Sequence, residues 1–263
     1  TDQVADRLAE LANFSPAFSL EGWREETDAR RGEGVFDKVM AAMDRLRERS
    51  VYFGASVTVT RNNIETLFSD EYMDFLVDKG ATYVWSFHYI PIGRGPNLDM
   101  MITPEQRAWL VKRVAEIRTT KPILVADFWN DGHFTGGCIA GGRMYFHINA
   151  AGMVEPCAFV HFATDNIRDK SLKEILASPL FAAYQKRQPF NQNHYAPCPI
   201  IDAPQALRDI VKETGAQPTH TGAEDVLTGI QAEFLDKRSR EWLQLADQLE
   251  ERYFGQTREQ AGK

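Results

Sequence analysis

Three apolar runs carry almost no charge: Val51–Val59 (VYFGASVTV), Thr82–Ile92 (TYVWSFHYIPI) and Pro122–Phe128 (PILVADF). Such runs do not alternate polar with apolar, so they read as buried strands of a parallel sheet with helices packed on it. The stretches between them repeat apolar residues at helical spacing. Phe36, Val39, Met40, Met43 and Leu46 form one such stripe,. Ser69 caps a second helix that Gly80 ends, and Thr103-Pro104 with Gln106 opens a third that runs to about Arg118,. Upstream, Val4, Leu8 and Leu11 mark a helix over 2–12, and Pro16–Gly22 (PAFSLEG) reads as a short strand ending in a polar turn. The order is helix then strand, four times over. It predicts an α/β fold with parallel strands, and ligands at their C-terminal ends: 19–22, 60–63, 91–94 and 127–131.

The texture changes after Asp131. Glycines cluster, and Tyr145–Asn149 and Met153–Cys157 read as a hairpin around Ala-Ala-Gly. Ser171 with Glu174 is a capping box, and Asp202 is placed to cap a helix that Gly215 stops,. Thr221 with Glu224 opens a long helix whose apolar face is Val226, Leu227, Ile230, Phe234, Trp242, Leu245 and Leu249. The predicted organisation is a sheet region over 1–131, a cysteine-bearing region over 132–215 and a helical tail over 216–263.

The net charge of -7 argues against nucleic acid or an anionic membrane as the main partner,. No apolar run reaches the ~20 residues of a membrane helix. Three cysteines are too few, and odd in number, for a secreted disulfide framework, so a cytoplasmic location is expected,. Cys138 precedes the hairpin and Cys157 follows it, so both can reach one point; Cys198 lies later between prolines. Thiolates converging from loops suit zinc or an iron–sulfur cluster. Small buried hydrophobes are the alternative. His133, His147 and His161 are potential fourth ligands, although the tight CxxC or HxxxH pairs of structural zinc sites do not occur.

The hairpin stretch resembles the auxiliary-cluster region of radical S-adenosylmethionine (SAM) enzymes with a SPASM or twitch extension. Cys138, thirteen residues, Gly152, four residues and Cys157 fit its spacing, and GMVEPC and DNIRDKSLKEILASPLF resemble its recurring segments. A second stretch, FSLEGWREETDARRGEGVF, resembles the loop after the family's fourth strand, through Ser19, Glu21, Gly22, Asp28, Arg31 and Gly32. The resemblance covers roughly residues 1–215. It implies SAM contacts from Ser19 and Arg31, with Glu21, and from Asn62 and Ile92 in later loops. It implies a 4Fe–4S auxiliary cluster on Cys138, Cys157 and Cys198. The implied fold is the second half of a (β/α)6 partial TIM barrel, followed by a small hairpin-plus-helices extension that binds the cluster.

The family's cysteine–x3–cysteine–x2–cysteine loop, whose cluster cleaves SAM, does not occur in this sequence, nor does its glycine–glycine–glutamate–proline segment. A full SPASM region has seven cysteines for two clusters; the three here suit one. Together with Thr1 in place of a start methionine, this leads us to expect a fragment. The resemblance implies a parent that would cleave SAM to a 5′-deoxyadenosyl radical and abstract hydrogen from an unidentified peptide, lipid or small molecule, with a flavodoxin or ferredoxin as the expected reductant. Asp127, Trp129, Asn130 and Asp131 are substrate-side candidates by position. The alternatives are a non-catalytic iron–sulfur or peptide-binding module, and a metal-free enzyme using acids such as Asp127 and Glu21.

Overall fold

A computed structural model describes residues 1–251. The chain forms two compact units. The first is Thr1–Tyr89 with Asp99–Phe128; the second is Ile90–Leu98 with the described residues from Trp129 on.

The first unit is a four-stranded parallel sheet in the order β1-β2-β3-β4: β1 (Ala17–Leu20), β2 (Gly54–Val59), β3 (Tyr83–His88) and β4 (Leu124–Asp127). Between strands run α1 (Asp2–Leu11), α2 (Arg24–Arg31), α3 (Val35–Glu48), the short α4 (Ile64–Leu67), α5 (Asp70–Asp78) and α6 (Pro104–Thr120). Thr103 and Gln106 make both hydrogen bonds of a capping box, and the Ser69 hydroxyl accepts from the Tyr72 amide at 3.1 Å. One sheet face is the core: Leu20, Val57, Val59, Val84 and Val125 join Met43, Leu46, Leu67, Leu76, Leu110, Val114 and Ile117 from the helices. The other face is open. Ser19, Ser56, Trp85 and Ala126 lie in register across the four strands, and Trp85 is 44% exposed.

The stretch that reads as a charged loop is α2. Its sequence, REETDARR, has no apolar period, so nothing marks it as a helix,. What holds it is polar: the buried Thr27 hydroxyl donates to Gly22 O at 3.0 Å. The Asp28 carboxylate accepts from the amides of Gly34 (3.0 Å) and Phe36 (2.8 Å) at the start of α3. These bonds, the Phe36 amide first, hold the Asp28 carboxyl below its ordinary pKa.

In the second unit, α7 (Gly132–Thr135) leads to the hairpin of β5 (His147–Ile148) and β6 (Val154–Glu155). Its strands are two residues long, shorter than the five-residue runs expected. At Gly152 φ is +85°, and a Cβ would stand 2.7 Å from Asn166 Oδ1, so the turn requires glycine,. Then come β7 (Phe162–Ala163), α8 (Leu172–Leu176), α9 (Pro179–Lys186), α10 (Pro204–Thr214), β8 (Gln217–Pro218, antiparallel to β7) and α11 (Gly229–Glu250).

Two expectations are corrected here. Asp202 does not cap α10: the cap position is Ala203, with Pro204 at the first turn. The Asp202 carboxylate instead accepts the Cys198 amide at 3.0 Å. The long helix does not begin at Thr221. Residues Ala223–Val226 form a 3₁₀ turn, Gly229 (φ +78°) interrupts, and α11 starts there. Ile230, assigned to the apolar face, is 81% exposed, while Trp242 is buried and donates to Tyr195 O at 3.0 Å.

Candidate functional site

Two constellations of chemistry-bearing side chains emerge, one in each unit. In the first, the end of β1 is fastened by side chains from three other segments. Asn63 Nδ2 donates to Glu21 O and Thr58 O, both at 3.0 Å, while its Oδ1 accepts the Thr60 amide at 2.7 Å. Tyr72 Oη donates to Gly22 O at 3.0 Å. Glu21 is 2% exposed. Arg31 reaches back from α2 and places Nε and a terminal nitrogen on Glu21 Oε1, at 2.9 and 2.5 Å. Burial pushes the Glu21 carboxyl above its ordinary pKa; Arg30 and Arg31 pull against that rise.

The SAM-contact candidates are therefore not equivalent. Ser19 lies on the open sheet face, level with Ser56. The Arg31 guanidinium is engaged by Glu21. Asn62 is exposed, and the neighbouring Asn63 is the asparagine that ties the strand ends. Ile92 is half-buried and belongs to the segment grouped with the second unit.

Asp127 lies on the core face of β4, where its Oδ1 is 3.0 Å from His88 Nε2; both side chains are 1% exposed. Sequence reasoning missed His88, whose only signal is its place at the end of an apolar strand. Trp129 and Asn130 are buried and Asp131 is half-buried in the second unit, with Trp129 edge-on to Phe159 at 5.2 Å.

The second constellation holds the cysteines. Cys138 leaves α7 in a glycine loop, Cys157 follows β6, and the Gly141 amide ties the two segments by donating to Pro156 O at 2.8 Å. Gln188 Nε2 donates to Cys138 O and Ala140 O at 3.1 and 3.0 Å. Cys198 opens the turn before α10, its carbonyl accepting the amides of Asp202 and Ala203. Two of the three repeat one local geometry, the sulfur accepting the amide two residues on: Phe159 for Cys157 (3.5 Å) and Ile200 for Cys198 (3.4 Å). At Cys138 the sulfur has the Tyr184 hydroxyl at 3.8 Å.

All three are half-buried, unpaired cysteines whose thiols feel burial most, and it pushes Cys157 up to about 11 and Cys198 higher still. Cys138 lies within electrostatic reach of both others and raises them further. Two phenols share the space: Tyr145 Oη is 2.6 Å from Cys157 Sγ, and Tyr184 Oη is 3.8 Å from Cys138 Sγ. Gly141 makes room for Tyr184, since a Cβ there would stand 2.1 Å from the ring.

Buried thiols that resist ionisation, yet have a hydrogen-bond donor at each sulfur, form a donor set suited to a polycationic centre,. Among the described residues no three His, Cys, Asp or Glu stand at the spacing of a single metal ion. Thiolates around one zinc would be only about 4 Å apart. The histidines considered as fourth ligands have other neighbours. His133 packs on the rings of Phe134 and Tyr195, His147 lies 3.8 Å from Glu155, and His161 Nε2 is 3.1 Å from Ala158 O.

Comparison with known proteins locates these features. Residues 138–199 match the SPASM family, an iron–sulfur cluster-binding domain. The chain is 31% identical over 222 residues to the mycofactocin maturase MftC of Mycolicibacterium smegmatis, covering 77% of this chain and 54% of that protein. It is 22% identical over 200 residues to the AdoMet-dependent heme synthase of Methanosarcina barkeri, covering 66% and 56%. It thus spans about half the length of the curated relatives it matches. Among solved structures, anSMEcpe with bound AdoMet and a Cp18Cys peptide aligns with a TM-score of 0.55 at 16% identity, covering 95% of this chain and 73% of that one. That likeness supports the partial-barrel reading of the parallel sheet.

Proposed function

We propose that this chain, a member of the radical SAM superfamily with a SPASM-type iron–sulfur extension, supplies one wall of a SAM-binding barrel and the ligands of one auxiliary cluster. The observation that carries the proposal is that Cys138, Cys157 and Cys198 all lie inside the SPASM match with a hydrogen-bond donor at each sulfur: the Tyr184 hydroxyl at Cys138, and the Phe159 and Ile200 amides at Cys157 and Cys198. These three residues would hold the cluster. When bound, it supplies one-electron transfer and an iron that a fourth, non-cysteine donor can occupy.

The chain's own residues give the rest of the reading. Ser19 offers a hydroxyl on the open sheet face, which suits a ribose diol. Arg31, held by Glu21, fixes the loop after β1 rather than waiting free for a carboxylate. Trp85, Phe87 and Phe128 form an aromatic patch on that same face, with Phe87 and Phe128 stacked at 4.7 Å, an apolar wall for a substrate. The curated relatives are named for different products, a haem and a mycofactocin, so the proposal stops at reaction type: hydrogen abstraction by a SAM-derived radical. All three cysteines are assigned to the extension. SAM cleavage therefore needs thiolates this sequence does not contain. That observation favours a second reading, an iron–sulfur module without SAM-cleaving activity.

Anaerobic reconstitution with iron and sulfide, followed by equilibrium dialysis with SAM, tests the proposal. A brown chain that also binds SAM supports it. A brown chain with no SAM affinity supports the second reading, and a colourless folded chain removes both.

A further inference from the structure

The three sulfurs are not hydrogen-bonded alike. Cys198 Sγ accepts the Ile200 amide, and Cys138 Sγ has the Tyr184 hydroxyl at 3.8 Å. Cys157 Sγ accepts the Phe159 amide and also meets the Tyr145 hydroxyl at 2.6 Å. Tyr145 is held there by its backbone. Its amide donates to Ile139 O at 3.3 Å, its carbonyl accepts the Gly142 amide at 3.0 Å, and Met144 donates to the same Ile139 oxygen at 2.9 Å. The loop that carries Cys138 therefore aims a phenol at Cys157.

Between a thiol and a phenol either group can donate. A thiolate bound to iron has no proton, so the direction becomes fixed: Tyr145 donates and Cys157 accepts. Hydrogen bonds to cluster sulfurs stabilise the more negative, reduced state, and they are among the terms that set the reduction potential.

The geometry points to Tyr145 as a tuning residue of the auxiliary cluster, donating its hydroxyl hydrogen to the Cys157 thiolate and raising the cluster's potential. This rests on the cluster assignment made above. It adds that the three sulfurs are unequal, Cys157 having two donors where Cys138 and Cys198 have one each.

The test uses the reconstituted chain and Tyr145→Phe, which removes only the hydroxyl. Iron and sulfide counts, an EPR-monitored potential titration and resonance Raman spectra in H₂O and D₂O are compared. The expected result is an unchanged iron count, a lower midpoint potential, and a loss of part of the D₂O shift in the iron–thiolate stretching bands. Tyr184→Phe, farther from its sulfur, is expected to lower the potential less than Tyr145→Phe does, and the D₂O shift of the wild-type bands tests the hydrogen bond even if Tyr145→Phe does not fold. An unchanged potential in Tyr145→Phe would overturn the inference while leaving the cluster in place. So would a larger drop in Tyr184→Phe, or wild-type bands insensitive to D₂O. A fall in iron count would also overturn it, since the hydroxyl would then be needed to hold the cluster rather than to tune it. Wild-type protein that takes up no iron would remove the cluster assignment itself, a distinct outcome.

Discussion

Replacing Arg31 by alanine separates two roles for that residue. As a SAM contact it would leave the ligand-free fold unaffected. In the structure it holds the buried Glu21 carboxylate through two nitrogens on one oxygen. Removing one partner of a buried ion pair costs about 3–5 kcal/mol, because the remaining charge is stranded. Here Arg30 Nε remains 3.5 Å from the same oxygen, and the Arg31 side chain is 31% exposed. Both reduce the loss, so Arg31→Ala is expected to destabilise by about 2–3 kcal/mol at pH 7. Adding Glu21→Gln removes the stranded charge and should recover about 1 kcal/mol or more of that loss.

The loss should also shrink in acid. The folded-state pKa of Glu21 lies above its ordinary 4.5, so proton binding favours the native state fully below that value, and the gain fades as pH rises through the raised pKa,. Without Arg31 the pKa rises further. Urea unfolding at pH 7 and pH 4.5 measures all three variants. A loss below about 0.5 kcal/mol, or a double variant no better than Arg31→Ala, would refute the structural assignment and return Arg31 to ligand binding.

Gly141→Ala forces a side chain into a left-handed backbone (φ +68°) and against the Tyr184 ring, so thermal denaturation should show a loss of about 2–4 kcal/mol,. Asn63→Ala leaves the carbonyls of Glu21 and Thr58 and the Thr60 amide without their shared partner; about 2–3 kcal/mol is expected in urea unfolding,. In the iron-free chain, Cys157 at about 11 should be alkylated at pH 8 roughly two orders of magnitude more slowly than in the unfolded chain, read by mass spectrometry,.

The strands of the first unit were legible because a sheet covered on one face by helices still leaves near-continuous apolar runs. Helices with a stripe or a cap, such as α3 and α6, were legible for the same kind of reason. The helix α2 was not, because its stability comes from Thr27, Asp28 and the Arg31–Glu21 pair rather than from an apolar face. The β7–β8 pair joins two dipeptides far apart in sequence, which no local period encodes. The break before α11 hinges on Gly229, whose positive φ shows only in the folded backbone.

At the site, the hairpin explains why Cys138 and Cys157 could be placed together from spacing alone. Tyr145 and Tyr184 could not be found that way, since a tyrosine in a hairpin or an apolar helix reads as packing until its hydroxyl is seen to face a sulfur. For Arg31 the motif context is visible in the sequence, while its hydrogen-bond partner, the buried Glu21 ten residues upstream, shows only in the fold.

The central claim is that three cysteines in the second unit hold one cluster. ⁵⁷Fe Mössbauer spectroscopy of the anaerobically reconstituted chain, beside Cys138→Ser, Cys157→Ser and Cys198→Ser, tests it most directly. The account predicts about four irons per wild-type chain in one spin-coupled cluster, with each replacement reducing or abolishing it. Wild-type-like spectra from all three variants, or a folded wild-type chain without iron, would contradict it.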